Sequence, residues 1–289
     1  MVQAATYERI SPTAKMVAYL RTLTDIPFAK EIAAEIGTEK DFQTLAGVSM
    51  ESIAQFTPLF EARYKATNQI IVHRRITQVL EIAAGLSPRG FEMTSNPKAV
   101  FIATDLPQIL EEAKAIEEAI FKKMNVHRPN FHFQIANALV REDLLQAATP
   151  FAFDKPIAII TEGLLLYLTR KEKETLAGNI YVLLNKYGGI WITSDVNSLQ
   201  SWEKLSQGNE DMQQQQIQNL ADITGRNIEK NMFSDERDMR QLFTKSGFKI
   251  EAYPYSNVLE EISCLKRLNL NRDEILKVLQ NTHNLILTL

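Results

Sequence analysis

Apolar residues in the first 75 positions recur at helical spacing. Met16, Leu20 and Leu23 share one face, and Ile32 and Ile36 another, with no period-2 alternation. Ser11-Pro12 is a helix start, and Pro27 marks a further boundary. From about residue 76 the pattern changes to short apolar runs alternating with longer helical stretches. Strands are predicted at Gln78–Ile82, Ala99–Ala103, Phe131–Ile135, Ile157–Thr161 and Gly189–Asp195. Between them fall a helix over Leu106–Lys123, acidic early and basic late as the helix dipole favours, and one over Glu172–Lys186 closed by Gly188-Gly189. Strand and helix in alternation predict a parallel sheet in a doubly wound α/β fold.

Residues 197 to about 235 interrupt this rhythm. They are rich in Gln, Asn and charge, including Gln213–Gln216, yet Met212, Ile217 and Leu220 keep a helical spacing. The segment reads as an inserted helical lid or as a solvated surface excursion. The core pattern then resumes, with a helix over Glu236–Ser246, a strand over Phe248–Tyr255, a helix over Asp273–Gln280 and a last strand over Asn284–Leu289. The organisation expected is an N-terminal helical cap over 1–75 and a core over 76–289 carrying the insertion. Trp191 and Phe248 are expected in the core.

Composition narrows the class without changing it. The 289 residues are 45% hydrophobic and 23% charged, ordinary for a globular chain. A formal net charge of −3 offers no basic excess for nucleic acid or an anionic membrane. The single cysteine, Cys264, excludes an intrachain disulfide, and the four histidines (His73, His127, His132, His283) include no i, i+4 pair, so no metal site is expected. The apolar run Ile157–Leu168 carries Glu162 and is too short to span a bilayer. The N-terminus has no secretory pattern, and a cytoplasmic protein is expected.

The chemistry is concentrated at Val79–Ser87, where a strand runs into Ala83-Ala84-Gly85 and then a helix. Small side chains let a ligand reach the backbone there, and nucleotide-like ligands bind at the carboxyl ends of parallel strands. Twenty residues past Gly85, Asp105 ends the second strand. Its carboxylate can accept from both ribose hydroxyls, or it can merely cap the helix that follows. A dinucleotide fingerprint needs three glycines, and only Gly85 is present. Glu81 at the start of the loop disfavours a diphosphate and suits a sulfonium cofactor carrying an ammonium group. Glu162, between apolar runs, would be costly to bury without partners, which favours a functional role and makes it a weak catalytic candidate. Tyr167 is a core residue or a weak catalytic candidate. Asp195 faces the pocket or caps a loop.

These residues resemble the leucine carboxyl methyltransferase family, with its bacterial O-methyltransferase members, over nearly the whole chain. Thr161–Leu168 is similar to the family's AEGLLMYL stretch, Val79–Arg89 to VLELGAGLDTR, Thr104–Pro107 to VDLP, and Pro27-Phe28-Ala29 to DPF. Asn271–Leu289 follows the family's ending. The resemblance implies a class I, Rossmann-like fold with a seven-stranded, mostly parallel sheet, and S-adenosyl-L-methionine as cofactor. It implies that Lys15 and Arg63 hold the methionine carboxylate, that Gly85 packs on that moiety, and that Asp105, with Leu106 beside it, takes the ribose. Asn137 and Ala138 stand where an Asp-Leu pair flanks the adenine, and Glu162 lines the pocket beside the methyl. Ser87-Pro88 replaces the usual Asp-Thr, and Asn137 the usual aspartate. The activity expected is O-methyl transfer to a carboxylate or acidic hydroxyl of a small molecule or peptide. The alternatives are a nicotinamide-dependent oxidoreductase and a cofactor-binding protein without catalysis.

Overall fold

The structure, a computed structural model, describes residues 12–37, 56–196, 198–201, 218, 221–222 and 225–289. Three helices come first: α1 (Pro12–Thr22), α2 (Ala29–Ile36) and α3 (Thr57–His73). The core follows as β1 (Gln78–Ile82), α4 (Arg89–Met93), β2 (Val100–Asp105), α5 (Pro107–Met124), β3 (Phe131–Ile135), α6 (Arg141–Ala147), β4 (Ile157–Thr161), α7 (Arg170–Tyr187) and β5 (Gly189–Thr193). It ends with α8 (Ile228–Asn231), α9 (Glu236–Lys245), β6 (Lys249–Pro254), α10 (Cys264–Arg267), α11 (Arg272–Gln280) and β7 (His283–Thr288).

The seven strands form one sheet in the order β3-β2-β1-β4-β5-β7-β6. Strands β1 to β5 are parallel, and β7 runs antiparallel between β5 and β6. Both faces are covered, so β1 and β4 are buried at every position. Period-2 alternation sends Leu80, Ile82, Ile157 and Ile159 to the layer of α6, α7 and α9, where they meet Leu144, Leu176, Ile180 and Phe243. Val79, Ala158 and Ile160 point the other way, into a core shared with Ala18, Ile32, Ile70 and Phe121. The N-terminal helices thus cover the sheet directly. Trp191 and Phe248 are both buried in the first of these layers.

Strand β1 pairs with β2 on one side and β4 on the other. The chain winds outward from it in both directions, so a crevice opens at the carboxyl ends of β1 and β4. The loop after β1 and the turn carrying Glu162 both emerge there.

Local chemistry shifts several ends from the expected places. Helix α5 starts at Pro107, because a residue before proline is driven to extended backbone, and Leu106 is at φ −69°, ψ 154°. Helix α7 starts two residues early behind a Thr169–Glu172 capping box. Strand β5 stops at Thr193, and Asp195 turns its carboxylate back toward the β4 turn. Most of the expected insertion, including Met212, Ile217, Leu220 and the glutamine run, lies outside the described residues. Of its ends, Ser198 forms a parallel bridge to Phe233, and α8 lies between.

Candidate functional site

The loop after β1 is held by its own backbone. Ala84 N–H donates to Thr104 O at 3.0 Å, and Ser87 N–H to Ala84 O at 3.1 Å. Ala83 and Gly85 adopt left-handed backbone, at φ +54° and +53°. Gly85 N–H donates to Asp105 Oδ2, and Leu106 N–H to Asp105 Oδ1, each at 2.8 Å. Asp105 therefore ties the loop to β2 and does not cap the first turn of α5. Burial pushes its carboxyl up to about 6, against the pull of those two N–H groups. Helix α1 crosses the loop: a Cβ on Gly85 would stand 3.8 Å from Ala14 Cβ. Lys15, the next residue, is half-buried.

Ser87 occupies the aspartate position of the resembling motif. Its hydroxyl accepts from Arg89 N–H at 3.4 Å and hydrogen-bonds Glu81. Pro88 is the residue before α4 and is at φ −77°. The Ser-Pro pair thus opens α4 without adding a third negative charge beside Glu81 and Glu162.

Around Glu162 stand three arginines from three elements. Arg21 Nη2 of α1 is 2.9 Å from Oε1, Arg63 Nε of α3 is 3.0 Å from Oε1, and Arg89 Nη2 of α4 is 2.8 Å from Oε2. Arg89 Nε also lies 3.6 Å from Glu81 Oε1. Arg89 is fully buried, donates to Tyr64 O at 3.2 Å and to Asn68 Oδ1, and stacks on the Tyr64 ring at 4.4 Å. Tyr64 in turn donates to Glu92 at 2.5 Å.

Three guanidiniums here face two carboxylates. Burial would raise the Glu162 carboxyl, but Arg63, Arg89 and Arg21 outweigh it and hold it at about 2. Glu81 goes the other way: burial raises it, Arg89 opposes, and Glu162 adds repulsion. Burial lowers Arg21, countered by Glu162 and reinforced by the other two arginines. Glu81 Oε2, Arg21 Nε and Arg89 Nε are buried without a hydrogen-bond partner among the described residues. Buried polar atoms of this kind ask for a ligand or water.

The structure gathers Lys15, Arg63, Glu81, Ala83, Gly85, Asp105, Leu106 and Glu162 at the ends of β1, β2 and β4. Asn137 and Ala138 follow β3, one strand further out. Asn137 is exposed; its Oδ1 accepts from Leu139 N–H at 3.0 Å, and its own N–H donates to Asp143 at 3.0 Å. Ala138 O accepts from Asn179. Tyr167 is half-buried in a 3₁₀ turn, Leu165–Tyr167, and its carbonyl accepts from Asn231 at 3.1 Å. Asp195 accepts from Gly163, Leu164 and Leu165 N–H at 2.7–2.9 Å, so the loop-capping alternative describes its contacts.

Arg21 and Arg89 were not singled out by sequence reasoning. A signal existed for each. Arg21 lies seven residues past Ala14 and three past Ala18, on the face of α1 that packs inward. Arg89 ends the loop block itself. Among the described residues no three His, Cys, Asp or Glu side chains stand close enough to hold a metal, and no helix is long and apolar enough to cross a membrane.

A seven-stranded sheet in this order, with its polar cluster at the switch point, defines the class I methyltransferase fold. The model of the leucine carboxyl methyltransferase family matches residues 14–181, and the chain belongs to that family, whose cofactor is S-adenosyl-L-methionine. Proteins of Mycobacterium sp. strains KMS and JLS are 25% identical to it over 194 residues. They carry the provisional description of S-adenosyl-L-methionine-dependent methyltransferase. The match covers 60% of this chain and 62% of theirs, less than two thirds of the length of these relatives. In fold the chain is similar to a DUF574 family protein of Streptomyces avermitilis, with TM-score 0.58, 13% identity and 96% of each chain covered. It is also similar to a Thermobifida fusca protein provisionally described as a methyltransferase, with TM-score 0.55, 14% identity and coverage of 94% and 93%. At such identities these two likenesses speak for the fold alone.

Proposed function

We propose that this chain transfers a methyl group from S-adenosyl-L-methionine to an oxygen of a carboxylate or acidic hydroxyl on a small molecule or peptide. The observation that carries the reading is the Glu162 cluster: two buried arginines, a half-buried third and two glutamates with buried carboxylates at the switch point, beside the Asp105-tied loop.

The residues fit the cofactor's parts. Glu81 Oε2 is a buried acceptor without a partner among the described residues, suited to an ammonium group. Arg63 and Lys15 offer cations for a carboxylate next to it. Asp105 uses two of its carboxylate's roughly four acceptor sites on Gly85 and Leu106, which leaves capacity for ribose hydroxyls. Asn137 and Ala138 would flank the adenine, and Leu106 stands beside Asp105 at the ribose. The cofactor supplies a methyl group already activated by positive charge on sulfur.

The protein's work is then to bind, orient and exclude water. An acceptor oxygen has to be held in line with the methyl at near-attack distance. A carboxylate is ionised at neutral pH and needs no base. The described site has no histidine: His73 ends α3, His132 lies within β3 and His283 begins β7.

Calorimetric titration with S-adenosylhomocysteine and with NAD tests the cofactor assignment, and a methyl-transfer assay over acid and phenol panels tests the acceptor class. Binding of S-adenosylhomocysteine with turnover of acids or phenols is expected. Absence of binding at millimolar concentration, or methylation of aliphatic alcohols alone, would overturn the reading.

A further inference from the structure

The segment from Gly163 to Leu168 is a short turn between β4 and α7, and it fixes where Glu162 sits. It has little hydrogen bonding of its own: Tyr167 N–H reaches Leu164 O and Leu168 N–H reaches Leu165 O, each at 3.1 Å. Its two ends are held from outside by opposite charges. The Asp195 carboxylate accepts the first three N–H groups, from Gly163, Leu164 and Leu165. The Lys173 ammonium donates to the last carbonyl, Leu168 O, at 2.9 Å. Anion at the N–H end and cation at the C=O end complement the dipole of the turn.

Lys173 is an unexpected residue for its place. It is 3% exposed on the inward face of α7, in line with Leu176, Ala177 and Ile180. An apolar side chain of the same length would avoid the desolvation of a buried ammonium but would leave Leu168 O and Asn231 O without this donor. The lysine thus serves a carbonyl of the turn and one of the returning segment at the cost of burying a charge. Burial lowers its ammonium to about 8, with Asp195 the foremost opposing charge, so about ten to one of it is charged at pH 7.

The same ammonium also donates to Asn231 O and lies 4.8 Å from the Phe233 ring centroid. Asn231 Nδ2 donates to Tyr167 O at 3.1 Å. Phe233 O accepts from Leu199 N–H at 2.8 Å, and Ser234 O from Gln200 N–H at 3.3 Å. The outgoing segment at 198–200 and the returning one at 231–234 are thus joined to each other, and the join is fastened to the turn after Glu162.

We propose that Asp195 and Lys173 are positioning residues for Glu162, gripping the turn 163–168 at its two ends, and that Lys173 with Asn231 makes the return of the 197–235 excursion part of that grip. The proposal rests on the reading of Glu162 as a cofactor-facing group. It goes further in coupling the register of that group to a segment distant in sequence.

Lys173→Met and Lys173→Arg are compared with the wild type by three measurements: thermal midpoint, calorimetric affinity for S-adenosylhomocysteine, and amide hydrogen exchange of peptides covering 163–168. Lys173→Met is expected to lower the midpoint, because two carbonyls lose their donor, and also to lose about tenfold in affinity and to exchange at least tenfold faster over the turn. Lys173→Arg, still charged, is expected to restore affinity to within about threefold. A merely structural lysine would move the midpoint and leave the other two readouts alone. Should Lys173→Met not fold, Asn231→Ala replaces it, with a three- to fivefold loss expected. Affinity within twofold of wild type together with unchanged exchange overturns the proposal. A wild type that binds no S-adenosylhomocysteine overturns the cofactor reading instead, and the grip is then decided by exchange over the turn alone.

Discussion

Two carboxylates at the ends of the parallel strands on either side of β1 are treated in opposite ways. Glu162, after β4, is surrounded by three guanidiniums and held at about 2. Asp105, at the end of β2, has only two backbone N–H groups, and burial carries it to about 6. Glu162 is a fixed anion that keeps three cations together, two of them buried. Asp105 is an anion the fold alone does not favour. On the proposed reading, ribose hydroxyls would relieve that penalty, as where function is maintained at the expense of stability. The contrast yields different predictions for mutation, for acid and for ligand at the two sites.

The largest effect is expected at Glu162. Glu162→Gln leaves Arg21 and Arg89 buried, and Arg63 half-buried, around a neutral amide, with Glu81 alone for compensation. Breaking a buried pair costs about 3–5 kcal/mol, and a loss of that size should appear in denaturant unfolding at pH 7. A loss under about 1 kcal/mol would show that water already reaches the arginines and would dissolve the contrast. Acid should act through the same group. Its folded value lies below the usual 4.5, so its contribution is complete above that pH and fades as pH falls toward 2. The amount at stake is about 3 kcal/mol, from about 1.4 kcal/mol per pH unit.

Asp105 has the opposite sign. Its folded value, about 6, lies above the usual 3.8, so the fold prefers it protonated. Stability should therefore fall as pH rises from about 4 to about 6, and the neutral Asp105→Asn variant should lack that slope. The variant is expected to unfold within about 1 kcal/mol of wild type at pH 7, or later, because the cost of a buried charge is gone while one oxygen still accepts. Its affinity for S-adenosylhomocysteine should drop about tenfold, equivalent to about 1.4 kcal/mol. Calorimetry and denaturant melts on the same preparation separate the two quantities. A variant that is less stable yet binds normally would make Asp105 a structural tie for the Gly85 loop and nothing more.

The two carboxylates were legible in sequence to different depths. Glu162 stood out because an acid inside an apolar run must find partners, but the run does not say which. Arg21, Arg63 and Arg89 lie on α1, α3 and α4, separated by as many as 141 positions from Glu162, and only the folding of α1 across the β1 loop brings the first of them in. Strands β1, β3 and β4 could be bounded to the residue, since short apolar runs between turn formers mark them. The end of β5 could not, because Asp195 leaves the strand to meet N–H groups thirty residues upstream. The 3₁₀ segment Tyr255–Glu261 and α10 were also unread. Their anchor is the buried Glu61, which accepts from Ser263 and Cys264 N–H, a pairing no local pattern announces.

The loop that Asp105 ties contains a smaller and sharper test. Ala83 stands where the resembling motif has glycine, and its backbone is left-handed at φ +54°. For a residue with a Cβ that conformation costs about 1–2 kcal/mol, whereas glycine adopts it freely. Glycine also gives the unfolded chain more freedom, which offsets about 0.5–1 kcal/mol of the gain. Ala83→Gly should therefore stabilise the protein by about 0.5–1 kcal/mol in denaturant unfolding, with little change in affinity for S-adenosylhomocysteine. The comparison sharpens if the gain is additive with Asp105→Asn, since strain in the loop and charge on its tether would then be independent costs of holding the site open. A gain that vanishes in the Asp105→Asn background would mean that the carboxylate, through Gly85 N–H, is what forces Ala83 into the left-handed conformation. A loss of stability would place the relaxed backbone of Ala83 elsewhere and remove strain from the account of this loop.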